Sequence, residues 1–215
     1  MTPADVTSQV QDCFWDWKSV LVNPLYCRTG TRVAWSRFSG GIIRDPVNYE
    51  KVRSLVEEKQ YSFQCAEDGS VFQLLYEFDD KNQLQMVRLA FYKAELPMDE
   101  GDLLSSGPLP DFADVFIPWL RFDYTQQYAG GVLHHESHMH VSGFPAARFA
   151  VSGVPGPRQF VEFVMASCYP EQYGAQRLDQ KGTYRDPKEM SKINVRCLHD
   201  KSHGLVDQII HVRVP

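Results

Sequence analysis

Three runs rich in aromatic and branched residues, 61–66, 71–78 and 84–93, are separated only by Glu67-Asp68-Gly69-Ser70 and Asp79-Asp80-Lys81-Asn82. Connections this short carry turn chemistry and leave no room for the crossover that parallel strands need. The middle of the chain is therefore expected to fold as an antiparallel meander, and everything else has to pack around it.

The flanks supply the packing elements. Thr2-Pro3-Ala4-Asp5 has the cap, the first-turn proline and the acid of a helix start. Val6, Val10, Phe14, Trp17 and Leu21 follow at helical spacing until Asn23-Pro24. Residues 31–38 alternate as a strand, Gly40-Gly41 reads as a turn, and Asp45-Pro46 opens a second helix that runs through Val52, Leu55 and Val56 to Lys59. Residues 95–114 hold six acids and no base, and read as a solvated loop. Strand-like sequence resumes at 116–124, 137–142 and 148–151, and Pro157 starts a helix with Phe160, Val161, Val164 and Met165 on one side.

The expected fold is α+β: a single domain over 1–215 with a largely antiparallel curved sheet, N-terminal helices and one helix after the His-rich strand. Its parts are a helical and strand portion at 1–60, the sheet with its helix at 61–170, and an irregular basic tail at 171–215. Residues 172–215 carry eight Lys+Arg against five Asp+Glu, whereas residues 1–171 carry 14 against 22. A 43% hydrophobic content is enough for a packed core and excludes disorder, and a net charge of -5 argues against indiscriminate binding of phosphate polymers. There is no apolar run of about 18 residues and no basic start followed by an apolar stretch. The expectation is a cytoplasmic protein without a membrane partner. Cys13, Cys27, Cys65, Cys168 and Cys197 are odd in number and lack a Cys-x-x-Cys pair, as expected of free thiols.

Histidine is distributed unevenly. All seven lie after residue 133, and His134, His135, His138 and His140 share one short window. In an extended conformation His134, Glu136, His138, His140 and Ser142 fall on one face, with His135, Ser137, Met139 and Val141 on the other. Upstream, Arg121 and Asp123 share a face of the strand at 116–124. If the two strands pair with these faces aligned, Arg121, Asp123, His134, Glu136, His138 and His140 surround one patch.

Three readings fit such a patch. The strand is solvent-facing or stabilises a hairpin, with histidines that bond to backbone and to Asp123; or His138-x-His140, with His134, Glu136 or Asp123, holds a divalent metal such as zinc or manganese; or the imidazoles move protons at a phosphodiester while Arg121 stabilises charge. A module that binds a nucleotide, RNA or protein without chemistry uses the same face. Elsewhere, Cys197, His199 and His203 have a loose metal-ligand spacing, and His140-x-Ser142 with His211-x-Arg213 resembles the paired motifs of two-histidine phosphoesterases, with Arg213 out of pattern. No Walker loop, dinucleotide fingerprint or Gly-x-Ser-x-Gly elbow is present.

The segments 120–124, 134–143 and 148–152, with the Pro-started helix, resemble an uncharacterised bacterial family catalogued as domain of unknown function 2290. That resemblance implies a similar fold over most of the chain and carries no established reaction. More loosely, 120–142 is similar to toxins of the TumE type. This implies a nuclease-like activity in a toxin-antitoxin or phage-defence setting, with nucleic acid as substrate and an antitoxin as partner.

Overall fold

The computed structural model describes residues 2–40, 42, 47–94, 117–126, 136–144, 148–151 and 153–178. Gly41, Asp45-Pro46, the acidic stretch 95–114, His134, His135, Cys197 and the histidines of the tail lie outside the described residues.

Helix α1 (Pro3–Asp16) starts as expected: the Thr2 hydroxyl accepts from the Asp5 amide at 3.3 Å and Asp5 returns to the Thr2 amide at 2.7 Å. It ends earlier than its apolar spacing suggests. Trp17 closes it, and Leu21 belongs to β1 (Leu21–Val22), which pairs with Cys65 and Gln64. Leu21 is buried either way, so its place in the apolar pattern did not distinguish helix from strand.

A hairpin of β2 (Tyr26–Thr29) and β3 (Arg32–Trp35) turns at Gly30, whose φ of 60° is costly for residues with a Cβ. The strand expected at 31–38 is thus the second arm of a hairpin. Its first arm is half exposed and has no apolar alternation to reveal it. Helix α2 (Tyr49–Glu57) is capped by Asn48, whose Oδ1 accepts from the Lys51 amide at 3.0 Å, rather than opening at Asp45-Pro46.

The meander forms with nearly the expected bounds: β4 (Phe63–Cys65), β5 (Val71–Phe78) and β6 (Leu84–Tyr92). In the second turn Asp79 Oδ1 accepts from the amides of Lys81 and Gln83 at 2.9 and 2.8 Å, and Asn82 takes φ 58°. Then come β7 (Trp119–Thr125), β8 (Ser137–Val141) and β9 (Phe149–Ala150). The main path of the open sheet runs β1-β4-β5-β6-β7-β8-β9, with β3 also joined to β5, and every pairing is antiparallel.

Two helices, not one, follow the His-rich strand. Pro170 cannot extend α3 (Pro157–Cys168), yet its fixed φ suits the first turn of α4 (Pro170–Arg177). The start of the supposed irregular tail is therefore helical through Arg177. It buries only Tyr173 and Arg177, one turn apart, which is too little to show as periodicity.

The sheet is covered on both sides. Val6 and Val10 of α1 with Phe160, Val161, Val164 and Met165 of α3 pack on Leu74, Leu89, Phe122 and Met139. Val52 and Leu55 of α2 pack on Leu75, Ala90, Tyr92 and Trp119 of the opposite face. Gln60 ties the end of α2 to the sheet, its side-chain oxygen accepting from Trp35 Nε1 at 2.8 Å and its carbonyl from Gln73 Nε2 at 2.6 Å. No helix among the described residues is long and apolar enough to cross a membrane.

A buried ion cluster joins the helices. Glu162 of α3, 1% exposed, accepts from Trp17 Nε1 at 3.3 Å and pairs with Arg177 of α4. Arg158 and Arg177 both reach Asp16 Oδ2, at 2.5 and 3.6 Å. Burial raises the Glu162 carboxyl, an effect opposed by Arg177.

Candidate functional site

The alternation of Trp119-Leu120-Arg121-Phe122-Asp123-Tyr124-Thr125 sends Leu120, Phe122 and Tyr124 into the core under α1 and α3. Arg121 and Asp123 must then project from the other face. In β8 Met139 takes the core side, so His138 and His140 share the face of Arg121 and Asp123. The ladder puts Arg121 opposite His140 and Asp123 opposite His138. Directly opposed residues lie close enough for side chains to meet. The ladder is held beyond the strand ends by the Thr125 amide donating to the Glu136 carbonyl at 3.1 Å and the Ser142 amide to the Trp119 carbonyl at 2.8 Å.

Three of these side chains converge on one carboxylate oxygen of the fourth. Arg121 Nε donates to Asp123 Oδ2 at 2.8 Å, His140 Nε2 lies 3.5 Å from that oxygen, and His138 Nε2 lies 4.0 Å from it. The two imidazoles meet edge to face with centroids 4.8 Å apart, and the Arg121 guanidinium sits 5.8 Å from the Trp119 ring.

This is a buried cluster, which removes the solvent-facing reading of the strand: His138 is 8% and His140 4% exposed. Asp123 Oδ1 and His140 Nδ1 are buried with no hydrogen-bond partner among the described residues. Burial pushes the His140 imidazolium down to about 4, assisted by the positive charge of Arg121 and opposed by Asp123. His140 is thus neutral near pH 7, with an electron pair available to a proton or a cation.

Of the six residues expected at the patch, Arg121, Asp123, His138 and His140 come together. Glu136 lies just before β8 and is half-buried; among the described residues the group of close metal-binding atoms comprises only Asp123, His138 and His140, within 4.8 Å of one another. His134 lies outside the described residues. Two arginines extend the cluster beyond the His-rich motif. Arg88 of β6 stands opposite Asp123 in register, and the charge of Arg148, just before β9, acts on His140. Arg88 was legible as the lone charge of an otherwise uncharged strand, but only the pairing of β6 with β7 shows which carboxylate it faces.

No curated protein and no solved structure matches the chain. The local likeness of 120–142 to TumE-type toxins finds no support in these comparisons. A family model described as uncharacterized conserved protein (DUF2290) matches residues 22–205, which span β2 to β9 and the whole described cluster, and the chain belongs to that family.

Proposed function

We propose that the β7–β8 face is the active site of a phosphodiester-acting hydrolase. The observation that carries this reading is the register that opposes Arg121 to His140 and Asp123 to His138. It brings a fixed guanidinium, a carboxylate and two imidazoles to one place. A phosphodiester is anionic and its non-bridging oxygens carry charge through the transition state, so a guanidinium already oriented by Asp123 stabilises that charge without reorganising. Arg88 and Arg148 add to the positive field.

Asp123, His138 and His140 activate the attacking oxygen. Water gives up a proton as its oxygen bonds to phosphorus. The ester P–O bond breaks, and the leaving oxygen takes a proton, giving a phosphomonoester and an alcohol.

The test is incubation of the full chain with bis(p-nitrophenyl) phosphate, single-stranded RNA, single-stranded DNA and cyclic nucleotides. Turnover on one of them that disappears in Arg121→Ala and His140→Ala, with the far-ultraviolet circular dichroism unchanged, supports the reading. Saturable binding without product assigns the face to recognition instead. The toxin-antitoxin or phage-defence setting, with a nucleic-acid substrate, rests on the local likeness of 120–142. Growth arrest on induced expression, relieved by His140→Ala, is its test.

A further inference from the structure

We infer that Asp123, His138 and His140 bind a single divalent transition-metal ion, zinc or manganese. The inference rests on the proposed active site and deepens it by naming what activates the attacking oxygen.

The interatomic distances carry most of the argument. Asp123 Oδ2 is 3.5 Å from His140 Nε2 and 4.0 Å from His138 Nε2. A charge-assisted hydrogen bond between such groups is about 2.7–2.9 Å long. Two ligands held about 2.1 Å from a tetrahedral ion are about 3.4 Å apart. The separations are therefore too long for direct bonds and close to those of ligands around a shared ion. Closing the whole set, whose atoms lie within 4.8 Å, takes side-chain adjustments on the order of an ångström.

The buried carboxylate of Glu162 provides a contrast. At Glu162 one oxygen accepts from Trp17 and Arg177 and the other from Arg177, so that carboxylate is saturated by protein groups. At Asp123 the oxygen Oδ1 is buried and unpartnered among the described residues, as is His140 Nδ1. Buried polar atoms are normally satisfied. A cation shared by this carboxylate and the Nε2 atoms of the two imidazoles gives Asp123 a second partner besides Arg121.

The donor set selects the ion. Two imidazoles and one carboxylate suit zinc, iron or manganese and are poor for magnesium and calcium, which prefer oxygen donors. Three protein ligands leave positions open for water and substrate, as catalytic sites require. Arg121 orients Asp123 through Oδ2, where a carboxylate oxygen has a second lone pair for the ion. Guanidinium, divalent ion and carboxylate together carry a surplus positive charge, which an anionic phosphate offsets.

The experiment is metal analysis and calorimetric titration of the full chain with Zn²⁺ and with Mn²⁺ after chelator treatment. One ion per chain is expected, falling to near zero in His138→Gln, His140→Gln and Asp123→Asn. Where a variant does not fold, the cobalt(II) spectrum of the wild-type chain decides: bands of nitrogen and oxygen ligation support the site, whereas thiolate charge-transfer absorption moves the ion to a cysteine such as Cys197. Failure of the wild-type chain to bind either ion, or full retention in the folded variants, overturns the inference. Metal binding without turnover leaves this inference standing and overturns the proposed hydrolase. Turnover with no ion bound and no sensitivity to chelator does the reverse.

Discussion

Arg121 donates its Nε–H to Asp123 Oδ2 from two residues away on the same strand, with the two side chains only 13% and 18% exposed. The pair fixes the plane of the guanidinium while both groups stay at the cluster. Lysine at 121 would keep the charge and lose the planar fork. Arg121→Lys is therefore expected to lower kcat/KM on a phosphodiester by about 100-fold, in line with the loss of one preorganised donor. Steady-state kinetics on bis(p-nitrophenyl) phosphate checks this, and an unchanged kcat/KM removes Arg121 from the chemistry.

His140 links the cluster to pH. Its folded value of about 4 lies below its ordinary 6.5, so between these values the unfolded chain binds the proton that the folded chain refuses. The stability is fully present above pH 6.5 and is lost as the pH falls toward 4. The ceiling is about 3 kcal/mol. Urea unfolding of the metal-free chain should show this slope between pH 6.5 and 4, and His140→Gln should flatten it.

The Glu162–Arg177 pair holds α4 against α1 and α3 from a nearly dry position, with side-chain exposures of 1% and 8%. Removing one partner leaves the other charge buried without its counterpart. Arg177→Ala is expected to cost about 3–5 kcal/mol, and the double variant Glu162→Gln/Arg177→Met to recover most of that loss. Denaturant midpoints of the wild-type chain, single and double variants measure both effects. If the double variant is no more stable than Arg177→Ala, the burial argument fails.

Phe160 of α3 supports the site from behind the sheet. Its ring meets Phe72 and Phe122 edge to face, with centroids 6.1 and 5.8 Å away, and Phe122 is the residue between Arg121 and Asp123. Phe160→Ala should destabilise the fold by about 3–5 kcal/mol, as for other large buried aromatics. Thermal unfolding reads the loss, and a cost below about 1 kcal/mol would mean that α3 does not brace β7.

The meander and the sidedness of the cluster were legible because each rests on a short-range rule: two-residue alternation and short turns with Asp, Asn and Gly. Phe122 and Met139 announce the core face, so Arg121, Asp123, His138 and His140 follow on the other. Leu21 shows where that reasoning stops, since a buried leucine fits the end of a helix and the start of a strand equally well. Helix α4 shows a second limit, with Tyr173 and Arg177 alone buried and the latter held by a carboxylate fifteen residues earlier. The position of Arg88 opposite Asp123 is a third, because it depends on how β6 and β7 align.

The strand pleat makes the cluster a question of parity. A single residue removed just ahead of His138, with the chain before it held in register, would turn His138 and His140 toward the core side and lift Met139 to the other, exchanging a polar cluster for a thioether and burying imidazoles in hydrocarbon. Two residues removed would keep the sides but move each histidine along to a new neighbour, separating Arg121 from His140. Substitutions at these positions can be graded by chemistry, whereas changes in strand length are all-or-none.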